Sequence, residues 1–168
     1  MSSSFDANNN PSPTYAMWQK LSNKPGGKAL FSAGVCMKAP YFATILPYII
    51  EMRPGYAQVK APKWFGVNNH IKTFHAIAAC NAAETAMGML AEASIPNTHR
   101  WLPMGMRTKY VAKSQGGLVA TATAELPDFA QITKESGGQK VTVVIEYKDA
   151  SGNAPVEAEI DIWVTAKK

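Results

Sequence analysis

Asn69, His75 and Glu84 stand at the entrance and in the body of one apolar run, NHIKTFHAIAACNAAETAMGML, and are the residues of this chain best placed to do chemistry. Between Ala76 and Ala93 there are eight alanines, and the only charges are Glu84 and Glu92. No cation lies three or four residues from Glu84, so the carboxylate has no helical ion-pair partner. An acid in apolar surroundings is costly unless it is neutralised or used, which marks Glu84 as a general base or a carboxylate nucleophile. The start of the same helix offers the complementary group. Backbone amides of a first turn lack intrahelical acceptors and carry the positive end of the helix dipole, so those around His75 and Ala76 suit a developing oxyanion. Asn69 reads as a loop or cap residue as readily as a site residue, and His75 as a cap as readily as a reacting imidazole. Asn81, Glu84, Thr85 and Gly88 share a helix face; Thr85 either meets a water or a neighbour's Glu84, or bonds back to its own helix.

The elements that must hold these residues follow from pattern. Residues 1–13 are polar and rich in Asn, Ser and Pro, and are expected to be disordered, leaving residues 14–168 as one domain. Thr14 is the expected cap of a short helix ended by Pro25-Gly26-Gly27, and a second covers Ala29 to Cys36. Tyr48–Arg53 and Tyr56–Ala61 form a hairpin about Pro54-Gly55, and a loop from Pro62 to Thr73 leads into the alanine-rich helix, which Pro96 and Asn97 stop. The period then becomes two. Four strands follow: Leu102 to Ala112, Leu118 to Leu126, Val141 to Lys148 and Val156 to Val164. Hairpin connections make the sheet antiparallel, and a helix apolar nearly all round must be wrapped by it. The class is α+β: a curled antiparallel sheet of about six strands around one long central helix, with short N-terminal helices.

The spacing of the central residues resembles that of the hotdog-fold acyl-CoA thioesterases carrying an Asn, then His-Gly-Gly, then an acid on the central helix. Here Asn69 precedes His75 by six positions and Glu84 follows it by nine. From about Tyr48 onward, with PGYAQVKAP before the loop, the chain looks most like a hotdog branch catalogued as a domain of unknown function. The two glycines of the pattern are Ala76 and Ile77 here, which narrows the space above the amides without removing them. The resemblance implies hydrolysis of an acyl-CoA or acyl-carrier thioester, with coenzyme A present only as part of the substrate and no separate cofactor or metal. It also implies a site shared by two subunits, because His75 and Glu84 are roughly 13 Å apart by helical rise, too far to serve one carbonyl carbon. Homodimer and tetramer of dimers both satisfy this. The reading requires Glu84 to approach the first turn of a partner's central helix across a dimer interface with a pocket between them; if Glu84 instead faces solvent, the catalytic reading fails.

Two other hotdog readings compete. His70 precedes Glu84 by 14 residues, the interval of the 3-hydroxyacyl thioester dehydratases, although their Pro-Gly helix entry is missing. A non-catalytic acyl-binding dimer would also accommodate Ala76 and Ile77. For the substrate, Met87, Met89, Met104, Met106, Trp64, Phe65 and Tyr41 are candidate acyl-tunnel residues or core, and Arg107, Lys109 and Lys113 are candidate contacts for the phosphates of coenzyme A or a plain solvated face. The net charge of +5 is spread without a basic cluster and favours an anionic ligand, with nucleic acid and the phosphates of a small cofactor equally open from charge; the thioesterase resemblance implies a small-molecule thioester and no nucleic acid. Cys36 and Cys80 have no metal or disulfide spacing and read as reduced core thiols. With no signal-peptide pattern and no apolar run near the roughly 18 residues that span a bilayer, a cytoplasmic protein is expected.

Overall fold

In the computed structural model, which describes residue 7 and residues 9–167, the chain folds as three α-helices and six strands. The disorder expected for residues 1–13 falls at residues 1–6 and 8 outside the described residues. Helix α1, Pro13–Leu21, begins two residues earlier than expected: Ser12, not Thr14, is its cap, its hydroxyl accepting from the Tyr15 amide at 3.1 Å while donating to the Glu92 carbonyl at 2.8 Å. Pro13 at the first helical position costs nothing, since that N–H has no partner in a helix. Helix α2, Gly27–Lys38, is two residues longer at each end than the expected Ala29 to Cys36. A 3-10 turn, Pro40–Ile45, then leads to strand β1.

Strands β1 (Tyr48–Arg53) and β2 (Tyr56–Ala61) match the expected hairpin, with Gly55 at φ 74° in the turn. After a 3-10 turn at Phe65–Val67 comes helix α3, Ala76–Ser94, then β3 (His99–Tyr110), β4 (Leu118–Thr123), β5 (Gln139–Asp149) and β6 (Val156–Ala166). All pairings are antiparallel, in the order β1-β2-β4-β5-β6-β3. The sheet curls around α3, whose alanines at 79, 82, 83, 86, 91 and 93 are almost wholly buried, so backbone and sheet approach closely. Alternation in β6 holds as read: Val156, Ala158, Ile160, Ile162 and Val164 face the helix, and Glu157, Glu159 and Trp163 face out.

The two sheet edges differ. The β1 edge is blunted by a register shift between Ile49 and Glu51 and by α2, whose Ser32 hydroxyl takes the Ile49 amide at 2.9 Å and whose Lys28 ammonium takes the Ile50 carbonyl at 2.6 Å. Among the described residues the outer edge of β3 has no neighbouring strand, and β3 exposes Leu102 (68 %), Met104 (60 %) and Tyr110 (51 %). A register shift between Pro103 and Gly105 corrects the simple alternation expected of this strand. Because of it, Leu102 pairs with Trp163 on the outer face, while Met106, Thr108 and Tyr110 pair with Ile160, Ala158 and Val156 on the helix side. Lys113, expected on the same strand as Arg107 and Lys109, lies beyond its end in a loop.

Candidate active site

Asn69 organises the loop that delivers α3. Its Oδ1 accepts from the amides of Ile71 (3.1 Å) and Thr73 (3.0 Å), its Nδ2 donates to Thr73 Oγ1 (2.8 Å), and its backbone N–H donates to the Thr73 carbonyl. The side chain is therefore spent inside a five-residue loop, the Asx-type role. Phe74 is tied to Ser114 Oγ, and His75 donates its amide to the Val67 carbonyl at 2.7 Å, so the helix start is fixed from both sides. His75 itself is the N-cap: Nδ1 accepts from the Ile77 amide at 3.0 Å. This corrects the expectation that amides on both sides of the His75–Ala76 bond are free. The His75 amide is already bonded and the Ile77 amide is capped, which leaves the Ala76 and Ala78 amides of the first turn without an acceptor among the described residues.

Along α3 every residue from Asn81 to Leu90 is buried except Glu84, which is exposed. The acid is thus not enclosed by its own subunit. The turn of α3 before it is tied to the 3-10 turn Pro40–Ile45 by Asn81, whose Nδ2 donates to the Tyr41 carbonyl (3.3 Å) and to Thr44 Oγ1 (3.0 Å). Cys80 ties it to β3, with Sγ 3.1 Å from the Tyr110 hydroxyl and 3.7 Å from Thr108 Oγ1. Tyr110 in turn donates to the Ala76 carbonyl at 3.3 Å. Burial, and then the Cys80 thiol, push the Tyr110 phenol up to about 12, so it stays a neutral donor beside the first turn. Thr85 is fully buried and donates to the Asn81 carbonyl at 2.8 Å; it bonds back to its own helix and does not face Glu84.

A pocket of about 220 Å³ opens beside the first two turns of α3, lined by Tyr41, Thr44, Ile45, Gly66, Val67, His75, Ile77, Ala78 and Asn81. Of the candidate acyl-tunnel residues, Tyr41 reaches it; Met87 and Met89 are core, and Met104 and Phe65 are exposed. Sequence reasoning passed over Tyr110 and Thr44, and it read Cys80 as core although the thiol is half-buried on the open stripe. The four-residue step from Cys80 to Glu84 was the available signal. His70 is exposed in the loop. Arg107, expected to be available for phosphates, is clamped on the outer face of the sheet by Glu159 and Asp161, each at 2.9 Å. No salt bridge engages Lys109 or Lys113 among the described residues. No cluster of three or more His, Cys, Asp or Glu side chains suited to a metal occurs among them either.

The six-stranded antiparallel sheet around one central helix agrees with what the chain is similar to. Residues 27–164 match the family described as Domain of unknown function (DUF4442). The chain belongs to that family. A solved structural-genomics protein is 37 % identical, with a TM-score of 0.75, over 92 % of this chain and 98 % of that one. A Pseudomonas aeruginosa protein of unknown function, described as a probable thioesterase, is 18 % identical with a TM-score of 0.73 over 83 % of this chain and 95 % of its own. A mutant of a Staphylococcus aureus thioesterase enzyme is 16 % identical with a TM-score of 0.65 over 76 % and 99 %. No curated protein matches the chain. This DUF4442 member therefore has the hotdog fold. None of its described helices is long and apolar enough to cross a membrane.

Proposed function

We propose that this protein is an acyl-CoA thioesterase whose site is built across a homodimer. The observation that carries the reading is the exposure of Glu84 alone within the buried run Asn81 to Leu90, beside an unpaired apolar edge strand. A second subunit docked on the β3 edge would cover this carboxylate and bring it to the start of another central helix. In the dimer, Glu84 of one protomer faces the first turn of the partner's central helix. The thioester oxygen receives the amide of Ala76 of the partner subunit, where charge grows as the carbonyl becomes tetrahedral. Glu84 takes a proton from water as the water oxygen attacks the carbonyl carbon; collapse then breaks the C–S bond, and the thiolate leaves with the proton Glu84 had accepted. Lys109 and Lys113 remain the candidate contacts for the phosphates of coenzyme A. The fold neighbours described as thioesterases from Pseudomonas aeruginosa and Staphylococcus aureus support the reaction class.

The test is release of free thiol from a panel of acyl-CoA esters by the purified protein, with native mass measured in the same preparation. Release by a species of twice the 18.1 kDa chain mass is the expected result. Tight acyl binding without release would make this a binding protein, and hydration of an enoyl thioester without release would make it a dehydratase.

A further inference from the structure

Helix α2 is apolar on two faces, and the chain covers one of them. Phe31 and Val35 are buried, while Leu30, Ala33, Gly34 and Met37, at the spacing of the opposite face, are all exposed. Leu30 is 63 % and Met37 83 % exposed, and a Cβ added at Gly34 would meet no heavy atom within 4 Å. The elements on either side of α2 add Met17 of α1 and Tyr41 of the 3-10 turn, each at least half exposed. The charge of this segment is of one sign. Between Asp6 and Glu51 the chain carries Lys20, Lys24, Lys28 and Lys38 and no acid, which is most of its net charge of +5. Lys28 is turned inward, donating to the Ile50 carbonyl and lying 5.7 Å over the Trp18 ring. Lys20, Lys24 and Lys38 are exposed and make no ion pair among the described residues, and Glu51 is held by Arg53 at 2.8 Å.

We infer that this face of α2 docks on the surface of a bilayer rich in anionic phospholipid, with Leu30 and Met37 entering the boundary between headgroups and acyl chains and Lys20, Lys24 and Lys38 held over the lipid phosphates. Charge complementarity selects this occupant. A protein surface presents acids and bases in patches, whereas an anionic headgroup layer is negative throughout, and a run of lysines with no acid among them matches the second. An exposed apolar stripe with cations beside it is also the pattern of a helix that lies in the plane of a membrane; at 12 residues α2 is too short to span one. The proposed dimer uses the β3 edge, and α2 packs on β1 at the other end of the strand order. Bilayer contact requires no turnover, so the inference goes beyond the thioesterase reading and does not rest on it.

Co-sedimentation of the full chain with vesicles tests this, using phosphatidylcholine alone and phosphatidylcholine with an equal part of phosphatidylglycerol, at low and at high salt. At about fivefold for each lysine near an anionic surface, the three exposed lysines should favour the mixed vesicles by about a hundredfold at low salt, and added salt should erase most of that advantage. Leu30→Ser combined with Met37→Ser keeps every charge and, because both side chains are exposed, should keep the unfolding temperature. It should still lower binding to the mixed vesicles by about tenfold or more. Lys20→Gln, Lys24→Gln and Lys38→Gln together should bring the mixed vesicles down to the level of phosphatidylcholine. Equal binding to the two kinds of vesicle, or binding to the mixed vesicles that either variant leaves unchanged, overturns the inference. A lipid-free native mass that falls in the serine variant overturns it too, and makes the stripe a contact between copies of this chain. Glu84→Gln protein should bind vesicles as the wild type does, so the outcome stands apart from whether thioesters are hydrolysed.

Discussion

Glu84 and Ala76 are asked to supply the two halves of the chemistry, and each can be removed with little effect on the fold. Because Glu84 is exposed and makes no ion pair among the described residues, Glu84→Gln should change stability by less than about 0.5 kcal/mol. Its effect on thiol release should be a loss of about a hundredfold to ten-thousandfold, the range of a general base. Thermal unfolding beside initial rates checks both, and a variant that keeps its rate would remove Glu84 from the mechanism. Ala76 allows an unusually clean substitution. Proline is well tolerated at the first helical position, and His75 at φ −67° and ψ 136° already has the extended backbone that a residue before proline requires. Ala76→Pro thus deletes one N–H and little else, and should cost about a hundredfold to a thousandfold in kcat, as loss of an oxyanion donor does. How much of this was legible in the sequence differs by residue. Glu84 stood out in the sequence as an unpaired acid among alanines, but its exposure in its own chain could not be read there, because it depends on which elements cover that face of the helix. The capping role of His75 and the confinement of Asn69 to its own loop were not, since both depend on which backbone amides lie within 3 Å after the loop has closed.

At the scale of elements, the hairpin about Pro54-Gly55, the alanine-rich helix and the alternation of β6 could all be read from pattern, because turn chemistry and period are local. The shift at Met104 in β3 could not, since it depends on which residues of β6 lie opposite. Its consequence is chemical as well as geometric: it turns Arg107 to the outer face, where Glu159 and Asp161 clamp it and fasten the edge strand. The Arg107 guanidinium, with the Thr142 hydroxyl, holds the Asp161 carboxyl well below the usual carboxylate range. Asp149 is lowered as well, by the amides of Gln115, Ser151 and Asn153. A folded-state pKa below the unfolded one means that the unfolded chain binds more protons in the interval between them. Both groups therefore contribute full stability above about pH 4, the ordinary carboxylate value, and lose it as pH falls toward their folded values. Urea unfolding across this range should show stability declining with acid, and Asp161→Asn should flatten part of the slope. In the loop before α3, Asn69→Ala removes three hydrogen bonds and should destabilise by about 1 to 2 kcal/mol, with faster amide exchange at residues 69–76 as the readout.

For the whole molecule, the decisive asymmetry is between a β1 edge covered by α2 and a β3 edge left bare. The β3 edge carries its own bulge between Pro103 and Gly105, but among the described residues no further strand pairs with it, and Leu102, Met104 and Tyr110 stand exposed on it. Met104→Lys places a charge on that edge and should shift the protein toward 18.1 kDa monomers in sedimentation, with activity lost in proportion. The central claim, that each site takes Glu84 from one subunit and the first turn of α3 from the other, is tested most directly by mixing two inactive proteins. Glu84→Gln and Ala76→Pro subunits are combined in equal amounts, dissociated and allowed to reassociate. In a two-fold dimer with shared sites, half of the products are mixed dimers and each mixed dimer holds one intact site, so about a quarter of the wild-type specific activity should return. If Glu84 instead worked with its own helix start, no combination of these subunits would hold an intact site, and a mixture as inactive as its parents would contradict the account.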